Sequence, residues 1–268
     1  MTKNVTQRTI EDFGKQWGRY TDDDGYYASL KYFQDLLSPL LTVEDIQNQA
    51  VLDIGSGSGR IVNMILDAGA SHVYALEPAE SAFKTLKENT KDRQDKITYL
   101  NCRGDETPSD VSVDKVISMG VLHHIPDPDP VMISAFKALN SGGQCLVWLY
   151  GKEGNSQYLS LINPLRALTT KMPHLLLSFL CHILNVVLYL YILLCFVLPL
   201  PMRPYAKNVL WKLSHKKRYL VIYDQLNPAY AKYYSREEAE NLMKDAGFTN
   251  IQLHHRHGYS WTVLGHKE

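Results

Sequence analysis

Three groups of residues have types and spacings that could do chemistry. The first is Val51-Leu52-Asp53-Ile54-Gly55-Ser56-Gly57-Ser58-Gly59-Arg60, an apolar run that ends in a turn with glycine at alternate positions. Glycine reaches positive φ without penalty and lets a ligand approach the backbone closely. A helix beginning beyond the turn would present free N–H groups. Glu77 closes the next apolar run, where a carboxylate can accept two hydrogen bonds from a ribose diol. The spacing Gly-x-Gly-x-Gly differs from the Gly-x-Gly-x-x-Gly of dinucleotide sites. Asp53, two positions before the first glycine, would repel a pyrophosphate but suits an ammonium group.

The second group is His123-His124, directly after the apolar run Val116–Met119. An unperturbed histidine titrates near pH 6.5 and can take a proton from a hydroxyl, so either is a candidate base. The competing reading is that one caps a turn and the other only shapes a pocket. The third group is His254-His255-Arg256-His257. On a strand His255 and His257 share a face, but two histidines without a third ligand make a weak metal site. We expect no metal.

Elements that could position these residues follow from the pattern. Strands are expected at 51–55, 72–77, 97–101, 114–119 and 144–150. Helices are expected at 61–68, 81–90 and 130–139 between them. This alternation implies a parallel sheet with right-handed crossovers. Ligands of such sheets bind at the carboxyl ends of the strands, where the glycine turn, Glu77 and the histidine pair all fall. A last helix is expected at 235–246, with Ser235 as N-cap and Gly247 as stop. Two closing strands, 251–257 and 261–266, follow around a turn at Gly258.

The combination of Asp53-x-Gly55-x-Gly57-x-Gly59 with Glu77 resembles the cofactor signature of class I S-adenosylmethionine-dependent methyltransferases. The segments Val116–Asp127 and Leu139-Asn140-Ser141-Gly142-Gly143 resemble that family's fourth strand and the turn into its fifth. The resemblance covers about 45–150 and 235–268. It implies a Rossmann-like α/β fold with a seven-stranded sheet and S-adenosylmethionine as cofactor, leaving S-adenosylhomocysteine. It further implies that the glycine turn holds the methionine part and Glu77 the ribose. The cofactor contacts carried over are Asp53, Gly55, Ser56, Gly57, Gly59, Glu77, Pro78, Asp105 and Met119, with Trp17 from an N-terminal segment that closes over the site. Many members place Asp five residues before the proline after strand three. This chain has Arg103 there, and Asp105 is the nearby carboxylate.

The chain has 268 residues, with 28 basic and 28 acidic side chains. Zero net charge counts against a general nucleic-acid binder. Cys102, Cys145, Cys181 and Cys195 form no Cys-x-x-Cys pair, and the first twelve residues are polar. We therefore expect no zinc ribbon, no secretory signal and a cytoplasmic setting. Four regions are expected: an N-terminal helical cap (1–48), the cofactor-binding core (49–150), an insertion (151–234) and the closing elements (235–268).

The insertion is the unusual part. Met172 to Met202 contains no Asp, Glu, Lys or Arg. Its length would span a bilayer once, yet a single crossing would strand the closing strands on the far side, and two crossings need about 40 residues. His174, Ser178, His182, Asn185 and Tyr189 recur at helical spacing and form one polar stripe. Basic residues at 166, 171, 203, 207, 212 and 216–218 flank the stretch. Such a helix could lie in a membrane interface on the cytoplasmic face, cover an apolar substrate, or pack against a second subunit in a homodimer. Tyr223, Tyr230 and Tyr234 stand in a tyrosine-dense run that either lines a substrate pocket or packs the insertion onto the sheet. The expected function is methyl transfer to oxygen or carbon of a lipophilic or membrane-associated small molecule. tRNA or sugar methylation, and a non-catalytic membrane scaffold, are the other readings.

Overall fold

The computed structural model describes residues 2–268. Its seven strands are β1 (Ala50–Ile54), β2 (His72–Leu76), β3 (Ile97–Leu100), β4 (Val113–Met119), β5 (Leu139–Tyr150), β6 (Thr249–Arg256) and β7 (Ser260–His266). They form one sheet in the order β3-β2-β1-β4-β5-β7-β6. β1 to β5 pair in parallel and β7 runs antiparallel between β5 and β6. Most expected bounds lie within two residues of the observed ones. β5 starts five residues early, because Leu139 pairs with Val113 across a register shift before Gln144 pairs with Lys115.

The helices are α1 (Thr2–Arg19), α2 (Leu30–Leu37), α3 (Arg60–Asp67), α4 (Glu80–Asn89), α5 (Asp129–Ala138), α6 (Ser156–Thr169), α7 (His174–Val197), α8 (Arg203–Asn208), α9 (His215–Leu226) and α10 (Arg236–Asp245). The short apolar strands are covered on both faces, as parallel sheets require. Val116, Val147, Val263 and Leu52 pack with α5 and α10 on one face. Val51, Ile117, Leu146 and Leu264 pack with α2 and α3 on the other. α10 begins on a capping box: Glu238 N–H donates to Ser235 Oγ while Ser235 N–H donates to the Glu238 carboxylate.

The insertion α6–α9 leaves and rejoins the sheet at one point. Gly151 bridges Tyr234, and Tyr234 N–H donates to the Tyr150 carbonyl at 2.8 Å. Both ends of α7 return to the same body, and its polar stripe faces inward. His174 Nδ1 lies 3.0 Å from Tyr223 Oη, Tyr219 Oη donates to Ser178, and Asn185 donates to the His215 carbonyl. His182 packs at a tilt against Tyr219, and Tyr189 stacks on Trp211. Many of its apolar residues point outward: Leu175 is 83% exposed, Phe179 64% and Val197 80%, while Leu177, Cys181, Ile192 and Cys195 are buried. By length and composition α7 could cross a membrane.

α2 is tied to the β6–β7 hairpin by a charge cluster. Arg256, buried to 1% exposure, donates from Nε to the Asp35 carbonyl at 3.0 Å, pairs with the Asp35 carboxylate and donates to Tyr259 Oη. His257 contacts the other Asp35 oxygen at 2.9 Å. His257 sits at φ 50° in the turn after β6, while His255 stacks on Trp261. The two histidines therefore do not share a strand face as the sequence pattern implied, because the strand ends between them.

Removing the carboxylate would leave a buried guanidinium without its counter-charge. Asp35→Asn should destabilise the fold by about 3 kcal/mol, roughly 6–12 °C in melting temperature, as measured by thermal unfolding. Burial favours the protonated acid, but the His257 bond and the Arg256 charge hold Asp35 below its usual 3.8. A depressed acid stabilises the fold above its unfolded pKa, so this contribution should disappear only as pH falls through the lower, folded value.

Candidate functional site

The turn between β1 and α3 is built by backbone geometry that glycine alone adopts easily. Gly55 has φ +80°, and a Cβ there would lie 2.5 Å from Val121 Cγ2. Gly57 has φ +55° and faces the indole of Trp17 on α1. Gly57 N–H donates to Glu77 Oε2 at 2.9 Å, and Ala79 N–H donates to Oε1 at 2.9 Å. Glu77 is thus fixed by two backbone donors at the end of β2, with a lone pair left on each oxygen. Burial pushes its carboxyl up to about 7, against the pull of those two N–H groups.

Asp53 lies one layer behind the turn, 1% exposed, with Oδ2 lacking a hydrogen-bond partner. Burial lifts its carboxyl to about 7 as well, opposed by Ser56 and the Arg60 charge. Arg60 is itself clamped, 3.9 Å over the Tyr27 ring and bonded to the Tyr27 carbonyl.

Above this edge is a cavity of about 1240 Å³. Its floor is the glycine turn, Glu77, Pro78, Met119 and Val121. α1 roofs one end with Phe13 and Trp17, and α6, α7 and α9 roof the other. Of the cofactor residues expected from the sequence, Trp17, Gly55, Ser56, Gly57, Glu77, Pro78, Asp105 and Met119 line it. Gly59 does not: it caps α3 at φ +92°, packed against Leu86 and Thr90 of α4, so its part is structural. Asp53 does not line the wall either. Both carboxylate oxygens of Asp105 bind Arg103, at 3.0 and 2.6 Å, so Asp105 meets the cavity as half of an ion pair.

The histidine pair divides. His123 is fully buried, stacked on Tyr150 at 3.7 Å, and absent from the cavity wall. Burial, then His124 and Arg166, drives its pKa well below 6.5. His124 lines the cavity. Its Nδ1 lies 2.8 Å from the Tyr230 carbonyl oxygen. A carbonyl can only accept, so Nδ1 carries the proton and Nε2, which has no partner, carries a lone pair. Burial keeps the ring neutral, outweighing the Asp224 charge and the Tyr230 bond.

None of the three tyrosines expected to meet substrate lines the cavity. Tyr223 packs among Tyr20, Tyr219 and His174 beneath α7. Tyr230 contributes its carbonyl to His124. Tyr234 is held in the core by its bridge to Gly151. Tyr150, Tyr158 and Tyr233 line the cavity instead, with Asp224 and Gln225. Tyr150 was open to discovery as the last residue of β5, on the ligand-binding edge. The others depend on how the insertion folds back.

A Rossmann-like sheet with a glycine turn, a diol-accepting carboxylate and a deep cavity at the carboxyl edge defines a nucleoside-cofactor enzyme of the methyltransferase type. Comparison with known proteins agrees. Residues 52–147 match the methyltransferase domain family. The ubiquinone biosynthesis O-methyltransferase of Hydrogenovibrio crunogenus is 24% identical over 163 residues, 60% of this chain and 66% of that protein. The tRNA U34 carboxymethyltransferase of Shewanella woodyi is 32% identical over 114 residues, 41% of this chain and 32% of that protein. The match thus spans about two thirds of the first relative's length and one third of the second's. The magnesium protoporphyrin IX methyltransferase of Synechocystis shares the fold over 100% of this chain and 99% of its own, with TM-score 0.57 and 12% identity. The methyltransferase domain at residues 52–147 and these relatives support a class I S-adenosylmethionine-dependent methyltransferase, with S-adenosylmethionine as cofactor.

The residues present fit that cofactor. Glu77 offers one free lone pair per oxygen to the ribose hydroxyls, and the glycine crest leaves room for a chain against Trp17. Asp53 holds an unpartnered buried carboxylate oxygen beside the turn, a counter-charge for an ammonium group. A protonated Glu77 loses an acceptor, so affinity for S-adenosylmethionine should rise with pH through about 7. Glu77→Gln should weaken binding by about 1.5–3 kcal/mol and flatten the Glu77 part of that rise, both read by calorimetry across pH 5–9.

Proposed function

We propose that this enzyme methylates an oxygen of a lipophilic small molecule that reaches the site from a membrane surface. The observation that carries this reading is a portal. Leu161 of α6 and Val187 of α7 are 75% and 56% exposed, and both also line the cavity. Leu165, Leu184 and Leu188 add to the apolar wall of the same cavity. The outward face of α7 lies beside the same portal, with Phe179, Val186, Leu190 and Leu194 exposed. An apolar molecule could pass from a bilayer into the cavity without crossing water.

The chemistry the cofactor supplies is a methyl carbon bonded to a positively charged sulfur. The protein must align the acceptor oxygen about 3 Å from that carbon and remove its proton. His124 is suited to the second task. Tyr230 fixes the tautomer, Nε2 presents its lone pair, and burial keeps the ring unprotonated at neutral pH. Phe13 packs against the ring at a tilt, with 4.7 Å between ring centres. Trp17 and Phe13 lie on one face of α1, so the helix that covers the cofactor also screens the base from water.

His124→Asn should lower kcat by 10²–10⁴-fold while leaving S-adenosylmethionine affinity within about twofold. The wild-type acid limb of kcat should fall below pH 6.5, because the buried ring stays neutral there.

The acceptor is tested by incubating the enzyme with methyl-labelled S-adenosylmethionine and whole-cell extract. Label should appear in the organic phase. Label in RNA or in aqueous small molecules would overturn the lipophilic reading. Phe179→Ser with Leu190→Ser should reduce recovery on anionic vesicles at least tenfold, since each inserted side chain contributes about 1.5–3 kcal/mol. Unchanged recovery would overturn the membrane part.

A further inference from the structure

The polar end of the cavity contains a hydrogen-bond chain that runs in one direction. Arg166, 8% exposed, donates from Nε to the Gln225 carbonyl at 2.8 Å and from a terminal nitrogen to Tyr233 Oη at 3.1 Å. Tyr233 and Tyr158 both donate to Gln225 Oε1, at 3.0 and 2.9 Å. Gln225 Nε2 donates to Tyr150 Oη at 2.6 Å, and Tyr150 donates to Asp224 Oδ2 at 3.1 Å. From the opposite side Gln16 Nε2 donates to Asp224 Oδ1 at 3.0 Å, with Asn227 holding the other end of that amide.

Every hydroxyl proton in this chain is committed to a protein acceptor. The chain ends on Asp224, whose carboxylate has further lone pairs and lines the cavity. His124 lines the same wall, and its buried Nε2 is a second acceptor without a protein partner. Tyr150 links the two: its ring meets the His124 ring edge-on at 5.6 Å, and its hydroxyl donates to Asp224 at 3.1 Å. They are also braced by neighbouring turns of α1: Phe13 touches His124 and Gln16 holds Asp224.

Resting on the reading above, we propose that Asp224 and His124 together select an acceptor whose head group carries two adjacent hydroxyls, one donating to each. Asp224 positions the second hydroxyl so that the first meets Nε2. The head group is neutral rather than cationic, because the buried Arg166 charge, relayed through Gln225 and Tyr233, already offsets the carboxylate. The two hydroxyls could belong to an aromatic ring or to an aliphatic chain, and the probes separate these sources.

Binding is read without turnover, from quenching of Trp17 and Trp148, which both line the cavity. The probes are heptylcatechol, heptylphenol, an alkylglycerol ether, the matching alkanol, heptylbenzene and heptylamine. At least one dihydroxy probe should bind tenfold or more tightly than its monohydroxy partner. Asp224→Asn, which keeps the side-chain shape and an acceptor for Tyr150, should erase that difference while heptylbenzene binds as before. A thermal unfolding curve like that of the wild type confirms the fold of the variant.

Equal binding of dihydroxy and monohydroxy probes would overturn the inference. So would a preference that survives Asp224→Asn, or tightest binding by heptylamine. If heptylbenzene binds while the hydroxyls confer nothing, the apolar reading stands and this one falls. If short diols bind and alkyl chains add nothing, the apolar reading falls and the role of Asp224 stands.

Discussion

The Glu77 carboxylate, held between the N–H groups of Gly57 and Ala79, is the contact on which the cofactor edge depends. It ties the crest of the β1 turn to the end of β2. The turn can approach so closely only because Gly55 and Gly57 lack side chains at positive φ. The arrangement requires a carboxylate to be buried, and burial pushes it toward neutrality. A bound ribose diol would restore hydrogen bonds that burial removed, so the site is strained electrostatically in the direction that its ligand relieves. Asp53, with one oxygen unpartnered behind the turn, follows the same logic toward an ammonium group. Two buried acids close to a neutral proton balance are costly to a fold. Their presence at the strand ends is better explained by binding than by stability.

A second constraint is the single point where the insertion leaves and rejoins the sheet. With Gly151 bridged to Tyr234, α6–α9 form a closed excursion, and α7 must lie over the body rather than leave it. Its stripe from His174 to Tyr189 answers polar groups on 211–223. That leaves Phe179, Leu190 and their neighbours facing outward. The same closure brings Asp224 and Gln225 over the strand ends, although they are some 75 residues from Tyr150. The apolar outer face and the polar inner wall are therefore two consequences of one chain path.

This explains what could be read from the sequence and what could not. The parallel core, the glycine turn, Glu77 and the capping box at Ser235 rest on short-range patterns, and those patterns survive folding. The polar stripe of α7 was legible for the same reason, as helical spacing. The tyrosines that line the cavity were not. Tyr233 and Tyr234 are adjacent, and the bridge to Gly151 decides which of them faces the cavity; that register is a long-range fact. The histidine pair was legible as a pair. Which member carries a usable lone pair depends on the carbonyl of Tyr230, more than a hundred residues away. His255 and His257 looked alike on a continuous strand, and the turn at His257 separated them.

The same chain path sets the electrostatics of the cavity. An apolar chamber cannot hold a lone carboxylate cheaply, yet Asp224 lines this one. Arg166 supplies the compensating charge, but from behind the wall, through an amide and two phenols. This separation leaves the wall neutral overall while keeping its outermost group an acceptor. Asp224 is thus held by neutral donors, Gln16 on Oδ1 and Tyr150 on Oδ2, where Asp105 is held by the Arg103 guanidinium. The relay through Gln225 keeps the cation out of direct contact with the carboxylate. In an apolar cavity, beside the neutral His124 ring, a carboxylate held in this way can orient a hydroxyl through a charge-assisted hydrogen bond.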